Sequence, residues 1–195
     1  KIKGVSLHVN DIAGYSETLN KCYLSTPTPK QQKRIAKLLE KANKFAHSEG
    51  SEPNKEIRKW IQLHWAPSGN ITKDQRVYYT EKNGQLIDKY RSFINSLSEN
   101  DKPFVLAPLL VEASIHNNTN GQFSAFYKNG DIGQYGGKHN IDVKRITEPI
   151  ILEMPVLEQN KCKVNVDKMD TNEWVKKIPE LDLVYYDPPY NKHPY

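Results

Sequence analysis

Leu181-Asp182-Leu183-Val184-Tyr185-Tyr186, running into Asp187-Pro188-Pro189-Tyr190, is the stretch whose reading decides the fold. A short apolar run closed by a proline pair reads as a buried parallel strand that stops abruptly. The residues just past it then lie at the carboxyl end of the strand, where open α/β sheets bind ligands.

The closing tetrapeptide suits attack by an exocyclic amine. An aromatic amino nitrogen is a poor nucleophile because its lone pair is delocalised into the ring. A site must therefore pull it towards tetrahedral geometry with acceptors aimed at its two hydrogens. Asp187 offers an acceptor-only carboxylate, and Pro188 a carbonyl with no N–H of its own beside it. Tyr190 offers a flat face for a planar base, a stack worth ~1–3 kcal/mol. As bare dipeptides, Asp-Pro and Pro-Pro are also ordinary turn signals.

Asp187-Pro188-Pro189-Tyr190 after an apolar strand resembles the catalytic motif of the amino-group DNA methyltransferases. The aspartate form resembles the adenine-N6 enzymes rather than the cytosine-N4 ones, which usually carry serine there.

At 195 residues the chain can bury one core, or one core plus a sizeable insertion. No apolar run approaches the ~18 residues of a membrane span, and no leader with a cleavage site opens the chain, so the expectation is a soluble protein with no membrane partner. Cys22 and Cys162 are far apart and show no Cys/His spacing, which predicts a reducing, cytoplasmic location and no metal site. The formal charge is +5, and residues 30 to 60 carry nine Lys or Arg against four Glu, nine minus four, so the whole surplus lies in one stretch. Clustered positive charge suits a phosphate backbone, although a lysine-rich helix face is more often simply solvated.

Val5, Leu7 and Val9 alternate with polar residues as in a strand, and Asn10-Asp11 follows as a helix cap before Ile12, Tyr15, Leu19, Cys22 and Tyr23 at helical spacing. Thr26-Pro27-Thr28-Pro29 breaks that helix. The next one has Ile35, Leu38, Leu39, Ala42, Phe45 and Ala46 as its buried stripe. Trp60, Leu63 and Trp65 read as local core. Val77 to Thr80 leads into a helix with the stripe Leu86, Ile87, Tyr90, Ile94 and Leu97, and a further apolar helix is expected around 108–115. Ile150 to Leu152 reads as a short strand and Lys163 to Val166 as a longer one, with a helix from Asn172 that Pro179 ends.

His116 to Asn140 is the most unusual segment, holding five of the ten glycines and five asparagines. So long an irregular stretch is usually functional or disordered. Its amides can pair with base edges, and Lys128 and Lys138 can meet phosphates. Gly133 to Lys138 is not a P-loop, because the spacing fails and His139 stands where Ser or Thr is required.

The methyltransferase resemblance extends along the chain. Asn10-Asp11-Ile12 is similar to the family's ribose-binding position for S-adenosylmethionine, with Asp11 as the carboxylate and Ile12 an apolar contact to the adenine. Asp170 falls where an acid contacts the donor's adenine amino group. Asn117 to Phe123 resembles the Asn/Thr/Gly-rich loop of restriction-modification adenine methyltransferases, and Arg76 to Arg91 resembles part of their inserted region. The resemblance implies an α/β fold, a partial Rossmann-like sheet at 1–25 and 148–195 interrupted by a largely helical target-recognition insertion at 26–147, in the Dam-like order. It implies Asp187, Pro188, Pro189 and Tyr190 as catalytic, and S-adenosylmethionine as cofactor. Double-stranded DNA is the implied partner, met by Asn118, Asn120, Gln122, Phe123, Lys128, Lys138 and Lys192, with a cognate restriction endonuclease acting on the same site. The family's glycine-rich cofactor loop and final strands are absent from the sequence given, so the rival expectation is a non-catalytic DNA-recognition module. An RNA or protein-glutamine methyltransferase would share the motif but lacks a reason for the long insertion.

Overall fold

A computed structural model describes residues 4–121, 123–137, 139–157 and 162–187. In chain order the elements are β1 (Ser6–Asn10), α1 (Gly14–Tyr23), α2 (Pro29–His47), α3 (Trp60–Trp65), α4 (Glu81–Asn95), α5 (Lys102–Ile115), β2 (Lys128–Asn129), β3 (Ile132–Gly133), α6 (Val143–Thr147), β4 (Lys163–Asp167) and α7 (Thr171–Trp174).

The helices start where local chemistry satisfies their free N–H groups. Thr28 and Gln31 form a reciprocal capping box at α2, with Pro29 in the first turn where no N–H is needed. The Thr80 hydroxyl accepts from Asn83 N at 3.1 Å to open α4. The helix expected around 108–115 begins earlier, at Lys102, because Phe104 and Val105 also pack on the core. Ile35 and Leu39 of α2, Leu86, Tyr90 and Ile94 of α4, and Val105 and Leu109 of α5 form that core.

The reading of Ile150–Leu152 as a strand is corrected. These residues form an extended strap whose backbone is satisfied by side chains rather than by a ladder. Ile150 N donates to Asn83 Oδ1 at 3.0 Å, the Tyr90 hydroxyl donates to the Ile150 carbonyl at 3.2 Å, and Asn43 bonds both the N–H and the carbonyl of Leu152 at 2.9 Å. Ile150 and Leu152 are buried in the helical core, so the helical body runs at least five residues past the expected boundary at 147.

β1 and β4 pair in parallel, from Ser6 opposite Lys163 to Asn10 opposite Asp167. The helical body lies between them in sequence, and α1 joins the two parts by packing on α5 and touching β4.

The strand expected at 181–186 is also corrected. Among the described residues it has no ladder partner, and Leu183, Val184, Tyr185 and Tyr186 are 63–88% exposed. β1 and β4 pair with each other, and neither reaches this run, so among the described residues no sheet covers its apolar side chains.

Candidate active site and nucleic-acid interface

Parallel pairing puts the carboxyl ends of β1 and β4 side by side, and Asn10 extends the pairing past its last rung. Its Nδ2 donates to the Met169 carbonyl at 3.1 Å, and its Oδ1 accepts from Met169 N at 3.1 Å. The next residue on each strand exit is an acid or leads to one, so Asp11 and Asp170 come to the same edge. Asp11 Oδ1 accepts from Ala13 N at 2.9 Å, and Asp170 Oδ1 accepts from Asn172 N at 2.9 Å as the cap of α7. The second carboxylate oxygen of each has no partner among the described residues. Ile12, beside Asp11, is 72% exposed. Two carboxylate oxygens without partners among the described residues, with an exposed apolar side chain next to one of them, can receive hydroxyl and amino donors of a nucleoside-like molecule.

Asp187, the first residue of the expected catalytic tetrapeptide, is exposed at the end of the described segment. Pro188, Pro189, Tyr190 and Lys192 lie outside the described residues, as do Gln122 and Lys138.

A cavity of about 590 Å³ opens beside the first turn of α1, lined by Tyr15, Arg58, Trp60, Asp88, Arg91 and Leu109 among others. Its floor holds Asp88, whose carboxylate accepts from Ile61 N at 3.0 Å and Gln62 N at 2.9 Å and so fixes the start of α3. Burial pushes the Asp88 carboxyl above its usual range, and these two N–H donors act in the opposite direction. The sequence reading missed this cleft. Trp60, expected in the core, is 56% exposed on its wall and meets the His64 ring at a tilt of 50°, with ring centres 4.2 Å apart. Only the spacing of Trp60 and His64, one helical turn apart, signalled an outward-facing pair.

Among the described residues of the 116–140 segment, Asn118 is the hub. Asn118 Nδ2 donates to the carbonyls of Val77 at 2.8 Å and Gln134 at 3.1 Å, while Oδ1 accepts from Gly136 N at 3.1 Å. It is fully buried. The expectation that Asn118 meets DNA is therefore corrected: its amide is spent on closing the loop. Arg145 staples the base of the loop by donating to the carbonyls of Ile115 and Asn117. Gly133 passes so close to Val77 that an added Cβ would lie 2.3 Å from its Cγ2, so only glycine fits there. What this scaffold leaves outside is Asn120, exposed; Phe123, half-exposed against Tyr78; and Lys128, exposed with its ammonium 5.0 Å from the Phe126 ring centre.

Two acids side by side at the carboxyl ends of a parallel strand pair lie where α/β folds built on parallel sheets bind their ligands. Residues 3–195 match the family model described as D12 class N6 adenine-specific DNA methyltransferase, and the chain belongs to that family. It is 27% identical over 192 residues to the type II methyltransferase M.NlaIII of Neisseria lactamica, covering 95% of this chain and 49% of that protein. It is 27% identical over 150 residues to the modification methylase StsI of Streptococcus sanguinis, covering 74% of this chain and 20% of that protein. The chain thus spans about half the length of the first relative and a fifth of the second. No solved structure matches. Among the described residues no helix is long and apolar enough to cross a membrane.

Proposed function

We propose that this chain carries the donor edge, the recognition insertion and the catalytic motif of a DNA adenine-N6 methyltransferase, the modification half of a restriction system with a cognate endonuclease. The observation that carries the reading is the Asn10–Met169 clamp, which sets Asp11 and Asp170 on one edge of a parallel sheet upstream in sequence of Asp187-Pro-Pro-Tyr. The free oxygens of the two acids fit S-adenosylmethionine: Asp11 for the ribose hydroxyls, Asp170 for the adenine amino group and Ile12 for the adenine face. When bound, this donor supplies an electrophilic methyl on a sulfonium.

The target adenine is flipped out of the duplex, which costs a few kcal/mol of unstacking. Asp187 and the Pro188 carbonyl accept from its amino hydrogens and localise the nitrogen lone pair, and Tyr190 holds the ring. With the donor bound, the amino nitrogen would bond to its methyl carbon as the carbon–sulfur bond breaks, and the surplus proton on nitrogen would leave towards Asp187 or water. Catalysis is then positioning and charge stabilisation, without a covalent enzyme intermediate. Residues 26–147, together with the strap to Leu152, form the target-recognition insertion in this reading; Asn120, Gln122, Phe123, Lys128 and Lys138 are its DNA contacts, and Lys192, past the catalytic motif, is a further one.

The exposed, unpaired segment 181–187 favours one second reading, a recognition module that binds DNA but transfers nothing. One experiment separates them: transfer of labelled methyl to duplex DNA by the protein and by its Asp187→Ala form. Transfer that disappears in the variant, with DNA affinity kept within about tenfold, supports the enzyme. Equal transfer by the variant defeats the assignment, and DNA retardation with no transfer or donor crosslinking by the parent supports the module.

A further inference from the structure

α2 carries a basic stripe that neither the donor edge nor the 116–140 loop explains. Lys30, Lys33, Lys37, Lys41 and Lys44 recur at spacings of three, four, four and three residues. On an α-helix that pattern confines them to about 80° of the circumference and spreads them over about 21 Å of axis. The buried residues Ile35, Leu39, Ala42 and Ala46 fall on the opposite side, so the stripe points straight away from the core. Among the described residues none of the five lysines pairs with a carboxylate. The α2 cation that does is Arg34, held by Asp101 at 2.6 Å, and Glu40 is the one acid on the helix.

We propose that this face of α2 is a phosphate-tracking surface for duplex DNA, separate from the loop that would read bases. The inference deepens the proposed function by naming where the backbone is held. Ammonium groups on flexible stems act as point charges and need no fixed phosphate geometry, which suits sequence-independent contact. About 21 Å of axis spans roughly six base pairs, enough phosphates for all five lysines. An anionic membrane fits worse, because surface-lying helices insert an apolar face and that of α2 is already buried under α4 and α5.

The test is binding of the intact protein to a duplex lacking any methylation site, over a series of salt concentrations. The set Lys30→Gln, Lys33→Gln, Lys37→Gln, Lys41→Gln and Lys44→Gln keeps good helix formers and removes five charges. It should lower the magnitude of the slope of log affinity against log salt by about three to five units. The corresponding five arginine substitutions should keep the slope. An unchanged slope in the glutamine set, with circular dichroism like the parent's, overturns the proposal, as does binding to phosphatidylserine vesicles in preference to DNA. Failure of methyl transfer in the parent with the slope effect present would defeat the enzyme reading and leave this surface standing.

Discussion

Asn10 grips Met169 by both backbone groups, the N–H and the carbonyl, each at 3.1 Å, two residues beyond Asp167, the β4 residue that Asn10 itself pairs with. The two-point bond does what a further rung of ladder would do, and it fixes the spacing of the turns that bear Asp11 and Asp170. Asn10→Ala removes two hydrogen bonds of about 1 kcal/mol each. The expected outcome is donor affinity about tenfold weaker with the thermal midpoint of the helical body unchanged. Titration of the methyl donor, followed by scanning calorimetry, checks both; equal loss of stability in the helical body would show that the clamp is merely structural.

Asn118→Ala should act on the loop and not on a base. It leaves the Val77 and Gln134 carbonyls and the Gly136 N–H without partners in a buried site, at about 1–3 kcal/mol for each group left unpaired. Rapid proteolytic cleavage between 119 and 140 is expected, with the cores of α2 and α4 protected. Asn118→Asp should be no better, since a carboxylate cannot donate to the two carbonyls.

These two asparagines show where sequence was readable and where it was not. Helical periodicity located α2 and α4 and their buried stripes, because amphipathic spacing is a property of the element itself. Asp11 and Asp170 were legible as strand-exit acids, but the clamp between their turns was not, since it joins residues 159 positions apart. Asn118 looked like its exposed neighbour Asn120, and no local pattern distinguishes a buried hub amide from a surface one. Ile150–Leu152 reads apolar whether it pairs in a sheet or lies as a strap, and the choice was made by Asn43, Asn83 and Tyr90 on distant helices. The run at 181–186 has the composition of a central strand, yet a strand needs neighbours, and among the described residues it reaches neither β1 nor β4.

Alkaline pH should unfold the helical body through groups that stay protonated only when buried. Burial pushes the Cys22 thiol from 9.0 up to about 12, and Tyr79 and Tyr90 also shift upward for the same reason. Between pH 9 and 12 the native state keeps a proton on Cys22 that the unfolded chain has lost. Stability therefore falls as pH rises through that window, by up to about 1.4 kcal/mol per pH unit for one fully buried group. Urea unfolding at pH 8, 9.5 and 10.5 should show the decline, and Cys22→Ala should make it shallower. At pH 8 native Cys22 should resist alkylation while the half-buried Cys162 reacts.

Phe123 offers the sharpest test of the recognition loop. Its ring stacks on that of Tyr78, with centres 6.3 Å apart and planes 17° from parallel, and remains 46% exposed. One face is thus held by a buried partner while the rest of the ring is open to a base. Phe123→Ala should cost about 1–3 kcal/mol per stacked base, a loss of roughly five- to 150-fold in affinity for a duplex carrying the methylation site. Phe123→Leu, which keeps apolar bulk but no ring, should recover little of it. Neither change removes a charge, so the salt dependence of binding should match the parent's, unlike that of the α2 glutamine set. Fluorescence anisotropy with a labelled duplex reads both quantities. Full affinity in Phe123→Ala would place base recognition elsewhere on the loop, with Asn120 the remaining exposed amide among the described residues from 116 to 121.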